Sequence, residues 1–422
     1  MPSQTSSSSK SADTVIAVPV TAAWMSTSAA RIADLPVTQP VPDMSAWMAS
    51  LTHDMRLDLL GRISTSALLG EPVIVISEHS GWSEVRLPWQ PSTFDPRGYP
   101  AWIPSAHIAP SSSVGVASDG DGDRVSDSDG DRVSDGDGDR DGNDGGAHGD
   151  RGGVDLDVGG GYLERASGDG EYGNRGGADR VGGGASAEHG KQAEPSVFCV
   201  TRRLVPVRAN RSGPPIAVLS MGTRLPVVDV DPAAGTNHAQ VRVAGARGTY
   251  WIDADCGIYA SAAAPQRLSS QHDPEGHARK EEERRSQLGV SADRDWNVSE
   301  LLTNRATEII AAGSELLGLS YLWGGLSGWG VDCSGLVHLA LRSMGFIVPR
   351  DSVDQHGVFG SVHGAPVPGH PVFFRYRSDS LRIHHVGLAV SDTTMLHAPQ
   401  TGRVVEFLPI ATEPYGSELE IA

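Results

Sequence analysis

The chain has 422 residues and a formal net charge of −18, from 34 Lys and Arg against 52 Asp and Glu. This acidic balance argues against nucleic acid as a partner, because binding the phosphate backbone needs clustered basic side chains. Three cysteines (Cys199, Cys256 and Cys333) do not make a disulfide framework and favour reduced thiols. No run of about 18 apolar residues is present, so we expect no transmembrane helix and no membrane partner.

The N-terminal part predicts a tail followed by a small β unit. Residues 1–13 are polar and are predicted to be disordered. Residues 14–110 begin with a short strand and an amphipathic helix, for which Asp43 or Ser45 suits the N-cap, and continue with short strands separated by turn residues. The clearest strands are predicted at Glu71–Ser77, Trp82–Leu87 and Gly98–Pro104. Short strands at this spacing predict a small barrel.

Residues 111–195 are of low complexity. Between residues 116 and 195 there are 20 acidic and 8 basic residues, and glycine is frequent. Asp119, Asp121 and Asp123 alternate as calcium ligands can, but a calcium loop of the EF-hand type wants Gly next, where Arg124 stands, and no Glu closes the loop. The composition therefore favours a disordered insertion, since it has too little apolar surface to offset the entropy of ordering.

The remainder of the chain predicts a second β unit at 196–262, a charged linker at 263–295 and a third domain at 296–422. The strands of the second unit are predicted at Val197–Val207, Ile216–Leu219, Leu225–Val230, Gln240–Val243 and Thr249–Ile252. The third domain opens with an amphipathic helix, predicted over Arg305–Leu317.

The stretch from Tyr321 to Gly345 carries the strongest chemical signal. A glycine-rich loop leads to Asp332, which suits a helix N-cap, and Cys333 then falls in the first turn of a helix that Gly345 ends. A thiol at this position is predicted to have a lowered pKa, because the helix dipole stabilises the thiolate. The alternative is a buried, inert cysteine on a core helix.

Two histidines are candidate partners of the thiol. His385 lies in a strand-like run, and a hairpin centred near residue 391 would place His397 opposite it on the same face. One imidazole can then act as the base while the other holds it in the required tautomer. His384 has the opposite strand parity and should face away. A zinc site built from Cys333, His385 and His397 is the alternative.

These segments resemble the NlpC family of papain-like cysteine peptidases, which cleave bacterial cell-wall peptides. The resemblance covers about residues 300–422 and rests on four motifs: Tyr321-x-Trp-Gly-Gly, Asp332-Cys-Ser-Gly-Leu-Val, His385-Val-Gly and Met395-Leu-His-Ala-Pro. It implies that Cys333 is the nucleophile, His385 the base and His397 the third, orienting residue. The chain departs from the family at Gly369-His370, where Gly-Asp is common.

The first β unit resembles that of a narrower group of γ-D-glutamyl-L-diamino-acid endopeptidases. The phrases that carry this resemblance are Trp47-Met-Ala-Ser-Leu-Thr, Leu69-Gly-Glu-Pro-Val and Asp95-Pro-Arg-Gly-Tyr-Pro-Ala-Trp. The endopeptidases of this group have two bacterial SH3-like barrels before the catalytic domain, so the implied fold is an α+β papain-like domain preceded by two small all-β SH3-like barrels. The Gly98-Tyr-Pro phrase implies that Tyr99 reaches over the active site and helps to confine the free amine of the substrate. The group's amine-binding Glu is absent, because Ser64 stands at its place, and Glu71 or Glu78 are the candidates to replace it.

The resemblance also implies a substrate site and a reaction. The implied binding residues are Tyr99, Tyr321, Trp323, Asp332, Ser334, Asp351 and Ser352. The implied substrate is a murein stem peptide with a free N-terminal L-Ala, L-Ala-γ-D-Glu-L-Lys or its diaminopimelate equivalent, and the reaction needs no cofactor or metal. We expect a monomeric cytoplasmic enzyme of murein peptide recycling. The alternatives are a secreted hydrolase of intact peptidoglycan and a non-catalytic wall-binding protein.

Overall fold

A computed structural model describes residues 14–111, 196–231, 240–261, 265–269, 298–361, 364–376 and 379–420. The predicted N-terminal tail lies outside these residues, as do almost the whole acidic insertion with its Asp repeats and most of the predicted linker. Among the described residues, no helix is long and apolar enough to span a membrane.

The first β unit is a curled antiparallel sheet of seven strands. The strands are β1 (Thr14–Ile16), β2 (Val20–Trp24), β3 (Ile63–Leu68), β4 (Pro72–His79), β5 (Trp82–Leu87), β6 (Tyr99–Pro104) and β7 (Ile108–Pro110). Their order is β3-β2-β6-β5-β4-β1-β7. Inward-facing residues alternate along β5 and β6, where Val85 pairs with Ala101 over a buried apolar core. The three predicted strands are confirmed, and β3 was not predicted.

Three short helices connect β2 to β3. They are α1 (Leu35–Thr38), α2 (Met44–Ser50) and α3 (His53–Leu57). Of the two predicted N-caps, Asp43 is the one used, since its carboxylate accepts a hydrogen bond from the Ala46 amide at 2.8 Å. The buried Trp47 of α2 donates its indole N–H to Asp34 at 2.9 Å, which ties α2 to the turn that precedes α1.

The second β unit is also a curled antiparallel sheet of seven strands. The strands are β8 (Ser196–Val200), β9 (Leu204–Arg208), β10 (Pro215–Ser220), β11 (Arg224–Asp231), β12 (Gln240–Gly245), β13 (Gly248–Asp253) and β14 (Gly257–Ser261), in the order β10-β9-β13-β12-β11-β8-β14. The prediction of one strand over Val197–Val207 is wrong, because the chain turns after Val200 and the two halves pair with different neighbours. β14 was not predicted.

The C-terminal part combines helices with a four-stranded antiparallel sheet. The helices are α4 (Val298–Asn304), α5 (Ala306–Ser314), α6 (Cys333–Ser343), α7 (Ser352–Phe359) and α8 (Tyr415–Glu418). The sheet runs in the order β19-β20-β21-β22, from β19 (Pro371–Tyr376), β20 (Asp379–Ala389), β21 (Thr394–His397) and β22 (Glu406–Pro409). Four two-residue strands form two further sheets of the C-terminal part, one from β15 (Gln266–Arg267) and β18 (Phe346–Ile347) and one from β16 (Leu326–Ser327) and β17 (Gly330–Val331). The four-stranded sheet and α6 pack against each other, mainly through β20.

The first β unit and the C-terminal part share one hydrophobic core. Trp24, Trp47 and Ile63 of the first unit belong to the same buried cluster as Leu322 and Leu336 of the C-terminal part. Burying this much apolar surface in common makes the first unit an integral part of the structure around α6 rather than a tethered module.

Candidate active site

Cys333 is the first residue of α6, as predicted. The helix begins there because Asp332 is its N-cap, with the carboxylate accepting the Gly335 amide at 2.7 Å. The same carboxylate accepts the Gly324 amide at 3.0 Å, which fixes the glycine-rich loop against the helix start. The thiol is half-buried and receives hydrogen bonds from the backbone amides of Ser334 and Val386. Val386 is the residue after His385, so the thiol faces the strand that carries the predicted base.

The predicted lowering of the thiol pKa is wrong for this state of the protein. Burial raises the pKa of Cys333 to about 12. The nearby Asp332 carboxylate also raises it, while the backbone amides of Val386 and Ser334 and the Arg350 charge lower it. The positive end of a helix amounts to about half a charge, which here is outweighed by desolvation and by a full negative charge. The resting thiol is therefore protonated and needs a base.

The structure brings His385 and His397 together. His385 Nε2 lies 3.0 Å from His397 Nδ1, and the two rings are perpendicular with their centroids 5.2 Å apart. The strand register differs slightly from the prediction, since Leu388 pairs with Leu396 and the hairpin is centred on Asp392. His385 and His397 are thus diagonal neighbours on one face rather than direct partners, which still allows their rings to meet.

Both imidazoles are neutral at physiological pH. Burial, and then the neighbouring His397 and His384, hold the pKa of His385 well below its usual value. Burial lowers the pKa of His397 to about 4, against the opposing effect of Glu406, whose carboxylate is 3.9 Å from Nε2. If His385 Nε2–H donates to His397 Nδ1, the His385 Nδ1 lone pair remains available as a proton acceptor.

His384 takes no part in this pair. Its Nε2 lies 3.0 Å from a Glu418 carboxylate oxygen, and its ring stacks on Tyr376 with centroids 4.0 Å apart.

The aromatic residue that the sequence reasoning missed is Tyr415, whose ring centroid is 5.0 Å from that of His385 and 5.1 Å from that of His397. No motif marks Tyr415, because it comes from the short α8 near the end of the chain.

Arg350 is the second residue that the sequence reasoning did not place in the site. Its guanidinium is 1% exposed and donates to both carboxylate oxygens of Asp332, at 3.0 Å and 2.7 Å. It also donates to the Ser334 hydroxyl at 3.0 Å, and Ser334 in turn donates to Asp332 at 3.2 Å. Asp332, Ser334 and Arg350 therefore hydrogen-bond one another, and these bonds fix the position of the helix N-terminus.

Tyr99 and Asp351 meet beside this cluster. The Tyr99 hydroxyl, from β6 of the first unit, donates to the Asp351 carboxylate at 3.1–3.2 Å. Burial raises the pKa of Asp351 above its usual value, and the Asp332 charge adds to this against the effect of Arg350. Among the described residues, no Lys, Arg or His side chain forms an ion pair with Asp351. Ser352, the first residue of α7, follows at the same edge and is half-buried.

The two acids considered as replacements at Ser64 are placed elsewhere. Glu71 is wrong as a substrate ligand, because it is completely buried and its carboxylate pairs with Arg342 at 2.7 Å. Glu78 lies exposed on β4 of the first sheet, opposite Ser83 of β5. Ser64 itself lies on β3, whose backbone packs against Gly324 of the glycine-rich loop.

Tyr321 and Trp323 line a groove next to the site. The cavity has a volume of about 330 Å³ and is lined by His53, Leu57, Leu60, Tyr321, Trp323, Gln400 and Thr401. Tyr321 is buried, and burial raises the pKa of its hydroxyl, an effect that a Cys333 thiolate would increase. The hydroxyl therefore stays protonated as a hydrogen-bond donor. Trp323 is 40% exposed and offers its face to a ligand.

The donor set suits nucleophilic catalysis better than metal binding. Among the described residues, no three His, Cys, Asp or Glu side chains are grouped as metal ligands, which leaves the zinc alternative without support. A thiol at a helix N-terminus, a neutral imidazole pair on the facing hairpin of β20 and β21, and a protonated phenol together provide the groups for acyl transfer.

Comparisons with known proteins agree with this class. Residues 318–420 match the model of the NlpC/P60 family. The chain is 26% identical over 404 residues, covering 94% of this chain and 93% of the relative, to a protein named gamma-D-glutamyl-L-lysine dipeptidyl-peptidase from Bacillus subtilis (strain 168). A protein of the same name from Bacillus cereus (strain ATCC 10987 / NRS 248) is 36% identical over 126 residues, which are 28% of this chain and 36% of that protein.

A solved structure shares the fold over nearly the whole length. The crystal structure of an NlpC/P60 family protein from Bacillus cereus ATCC 10987 superposes with a TM-score of 0.60 at 20% identity, covering 96% of this chain and 97% of that one. Residues 318–420 are therefore an NlpC/P60 domain, preceded by an all-β region with curled antiparallel sheets. This domain match and the names of the two relatives indicate a cysteine peptidase.

Proposed function

We propose that the protein hydrolyses the γ-D-glutamyl-L-diamino-acid bond of murein stem peptides that carry a free N-terminal L-Ala. Cys333 is the nucleophile, His385 the base and His397 the orienting residue. The observation that carries the substrate assignment is the Tyr99–Asp351 pair, in which a half-buried carboxylate next to Arg350 in the sequence has a phenol rather than a cation as its hydrogen-bond partner. The names of the two Bacillus relatives point to the same bond.

The reaction passes through a thioester. His385 accepts the Cys333 proton as the sulfur attacks the γ-carbonyl carbon of D-Glu, and the imidazolium then protonates the departing α-amine of the diamino acid. Water attacks the thioester, His385 takes its proton, and the thiol is regenerated as the dipeptide acid leaves. The developing oxyanion is stabilised by the Cys333 backbone amide, which has no partner within its helix, and by the Tyr321 hydroxyl.

The free amine of L-Ala is recognised by Asp351. A half-buried carboxylate with a raised pKa gains most from a cationic ligand, because the pair restores its charge and satisfies its remaining lone pairs. Tyr99 closes one side of this position and holds the carboxylate in place. Ser64 supplies no second acid, so we expect weaker discrimination for the amine than two carboxylates would give.

We further assign the two curled sheets as SH3-like barrels and the C-terminal part as a papain-like domain. Seven short antiparallel strands around a compact apolar core support the first assignment. A helix that begins at the nucleophile and packs on an antiparallel sheet carrying the base supports the second. We propose a monomeric cytoplasmic enzyme that acts on released peptides.

The test uses L-Ala-γ-D-Glu-L-Lys-D-Ala and its N-acetylated form, followed by mass spectrometry. We expect release of L-Ala-D-Glu from the free-amine peptide, a several-fold or greater preference over the acetylated peptide, and loss of that preference in Asp351→Asn. Ser64→Glu, which adds a second carboxylate, is expected to lower KM for the free-amine peptide. Equal cleavage of both peptides by the unaltered protein would refute amine recognition.

Hydrolysis of intact peptidoglycan is the second candidate. The groove that contains Trp323, Leu57 and Leu60 is open, and its exposed apolar walls could contact a larger substrate. Release of peptides from purified sacculi, at a rate comparable with cleavage of the free peptide, would favour this candidate. Absence of cleavage of either substrate would favour the wall-binding alternative.

A further inference from the structure

A continuous set of buried polar side chains runs from the N-terminus of α6 through the first β unit and back to α6. At one end, Arg350 holds the Asp332 carboxylate that caps the helix. The remaining guanidinium donor, Arg350 Nε–H, crosses to the first unit and donates to the Thr65 hydroxyl of β3 at 2.8 Å. Thr65 is completely buried.

The set continues inside the first unit in one donor-to-acceptor direction. Thr65 Oγ1–H donates to Gln90 Oε1 at 2.6 Å, and Gln90 Nε2–H donates to the Glu71 carboxylate at 2.9 Å. The Thr65 hydroxyl has a single proton, which it gives to Gln90 while one of its lone pairs accepts from Arg350. The Gln90 amide must face its nitrogen to Glu71, since a carboxylate can only accept.

Arg342 closes the set on the nucleophile helix. Its Nη1 donates to the other Glu71 oxygen at 2.7 Å, and both side chains are completely buried. Arg342 belongs to α6, the helix that begins with Cys333. The first unit therefore contacts this helix near both ends, with one buried cation for each buried anion.

We propose that this relay (Arg350, Thr65, Gln90, Glu71 and Arg342) sets the position of the Asp332 cap and the Cys333 thiol, so that Thr65, Gln90 and Glu71 of the first unit are positioning residues for catalysis. This positioning role rests on the proposed function in one respect, which is that Cys333 is the nucleophile of the reaction. Among the described residues, Arg342 Nη2 is the one buried nitrogen or oxygen of these five side chains that lacks a hydrogen-bond partner. A hydrogen-bonded buried network holds its members in one arrangement, whereas the loss of one member leaves its neighbours without partners. Here the neighbour that would move is Arg350, which touches Asp332 directly.

The test compares Thr65→Val with Thr21→Val. Both threonines are completely buried in the first unit, and each makes a side-chain hydrogen bond, but Thr21 bonds His107 and lies outside the relay. Three quantities are measured for the full chain: the free energy of unfolding, the kcat and KM for the tetrapeptide, and the rate at which iodoacetamide alkylates Cys333. Thr65→Ser, which keeps the hydroxyl, is the rescue variant, and Gln90→Met interrupts the relay at a second point.

We expect Thr65→Val to lower kcat by about 10- to 100-fold with KM nearly unchanged, since small displacements of a nucleophile have effects of this size. The rate of Cys333 alkylation also changes in Thr65→Val. Thr65→Ser restores both kcat and the alkylation rate, and Gln90→Met alters both as Thr65→Val does. Thr21→Val destabilises the protein without altering kcat or alkylation.

The proposal is overturned if Thr65→Val and Thr21→Val behave alike, with activity following the folded fraction alone. If Thr65→Val does not fold, an unaltered alkylation rate and kcat in Gln90→Met overturn it. Alkylation needs no substrate, so the relay is tested even if the tetrapeptide is not cleaved.

Discussion

Asp332 and Arg350 form a buried ion pair whose two halves affect the thiol in opposite directions. In Asp332→Asn the carboxylate that raises the pKa of Cys333 is lost, so that pKa falls. In Arg350→Met the guanidinium that lowers it is lost, so the pKa rises. Each variant leaves the other partner buried without its counter-charge, which costs about 3–5 kcal/mol of the free energy of unfolding. Both variants are therefore less stable than the unaltered protein, whereas Cys333 becomes more reactive in Asp332→Asn and less reactive in Arg350→Met.

The two effects are measured separately. Urea unfolding gives the stability loss, and alkylation of the Cys333 peptide at pH 8, followed by mass spectrometry, gives the thiolate fraction. Well below the pKa, each unit of change alters that fraction by about tenfold. Peptide mapping distinguishes Cys333 from Cys199 and Cys256, which are also free. Alkylation rates that shift in the same direction in both variants would refute the electrostatic account of this thiol.

Two further predictions concern the histidines. His385→Ala is expected to lower kcat by about 10²–10⁴-fold because the base is lost, and His397→Ala by a smaller ~10- to 100-fold because only its orientation is lost; equal losses would contradict the assigned roles. For stability, burial lowers the folded-state pKa of His107 to about 4, so its contribution is complete above the unfolded value of 6.5 and is lost as pH falls from there to about 4. Between pH 7 and pH 4 the free energy of unfolding of the unaltered protein should fall by up to about 3 kcal/mol more than that of His107→Gln, as measured by urea unfolding. An equal fall in both proteins would contradict this.

Local sequence patterns predicted the elements that carry the chemistry. The Asp332 cap follows from residue type and spacing alone, and strand parity was enough to place His385 and His397 on one face despite a hairpin centre that was off by one residue. The strand broken at Thr201 was missed, because the apolar pattern of Val197–Val207 continues across the turn.

What the sequence did not predict depends on contacts between distant segments. Arg350 precedes the implied binding residue Asp351 in the sequence, but its burial against Thr65 depends on how the first unit packs on the C-terminal part. In the sequence Glu71 looks like an unpaired acid at the start of a strand, whereas in the structure it forms a buried ion pair with Arg342. The thiol pKa was assigned the wrong direction because the helix dipole is visible in the sequence, whereas desolvation is a property of the folded surroundings.

The most direct test of the account is incubation of L-Ala-γ-D-Glu-L-Lys with the unaltered protein and with Cys333→Ala, with products identified by mass spectrometry. The account predicts free L-Lys and L-Ala-D-Glu from the unaltered protein, a transient acyl adduct on the Cys333 peptide, and neither products nor adduct from the variant. Cleavage that persists in Cys333→Ala, or that falls between L-Ala and D-Glu, would contradict the assigned nucleophile or the assigned bond.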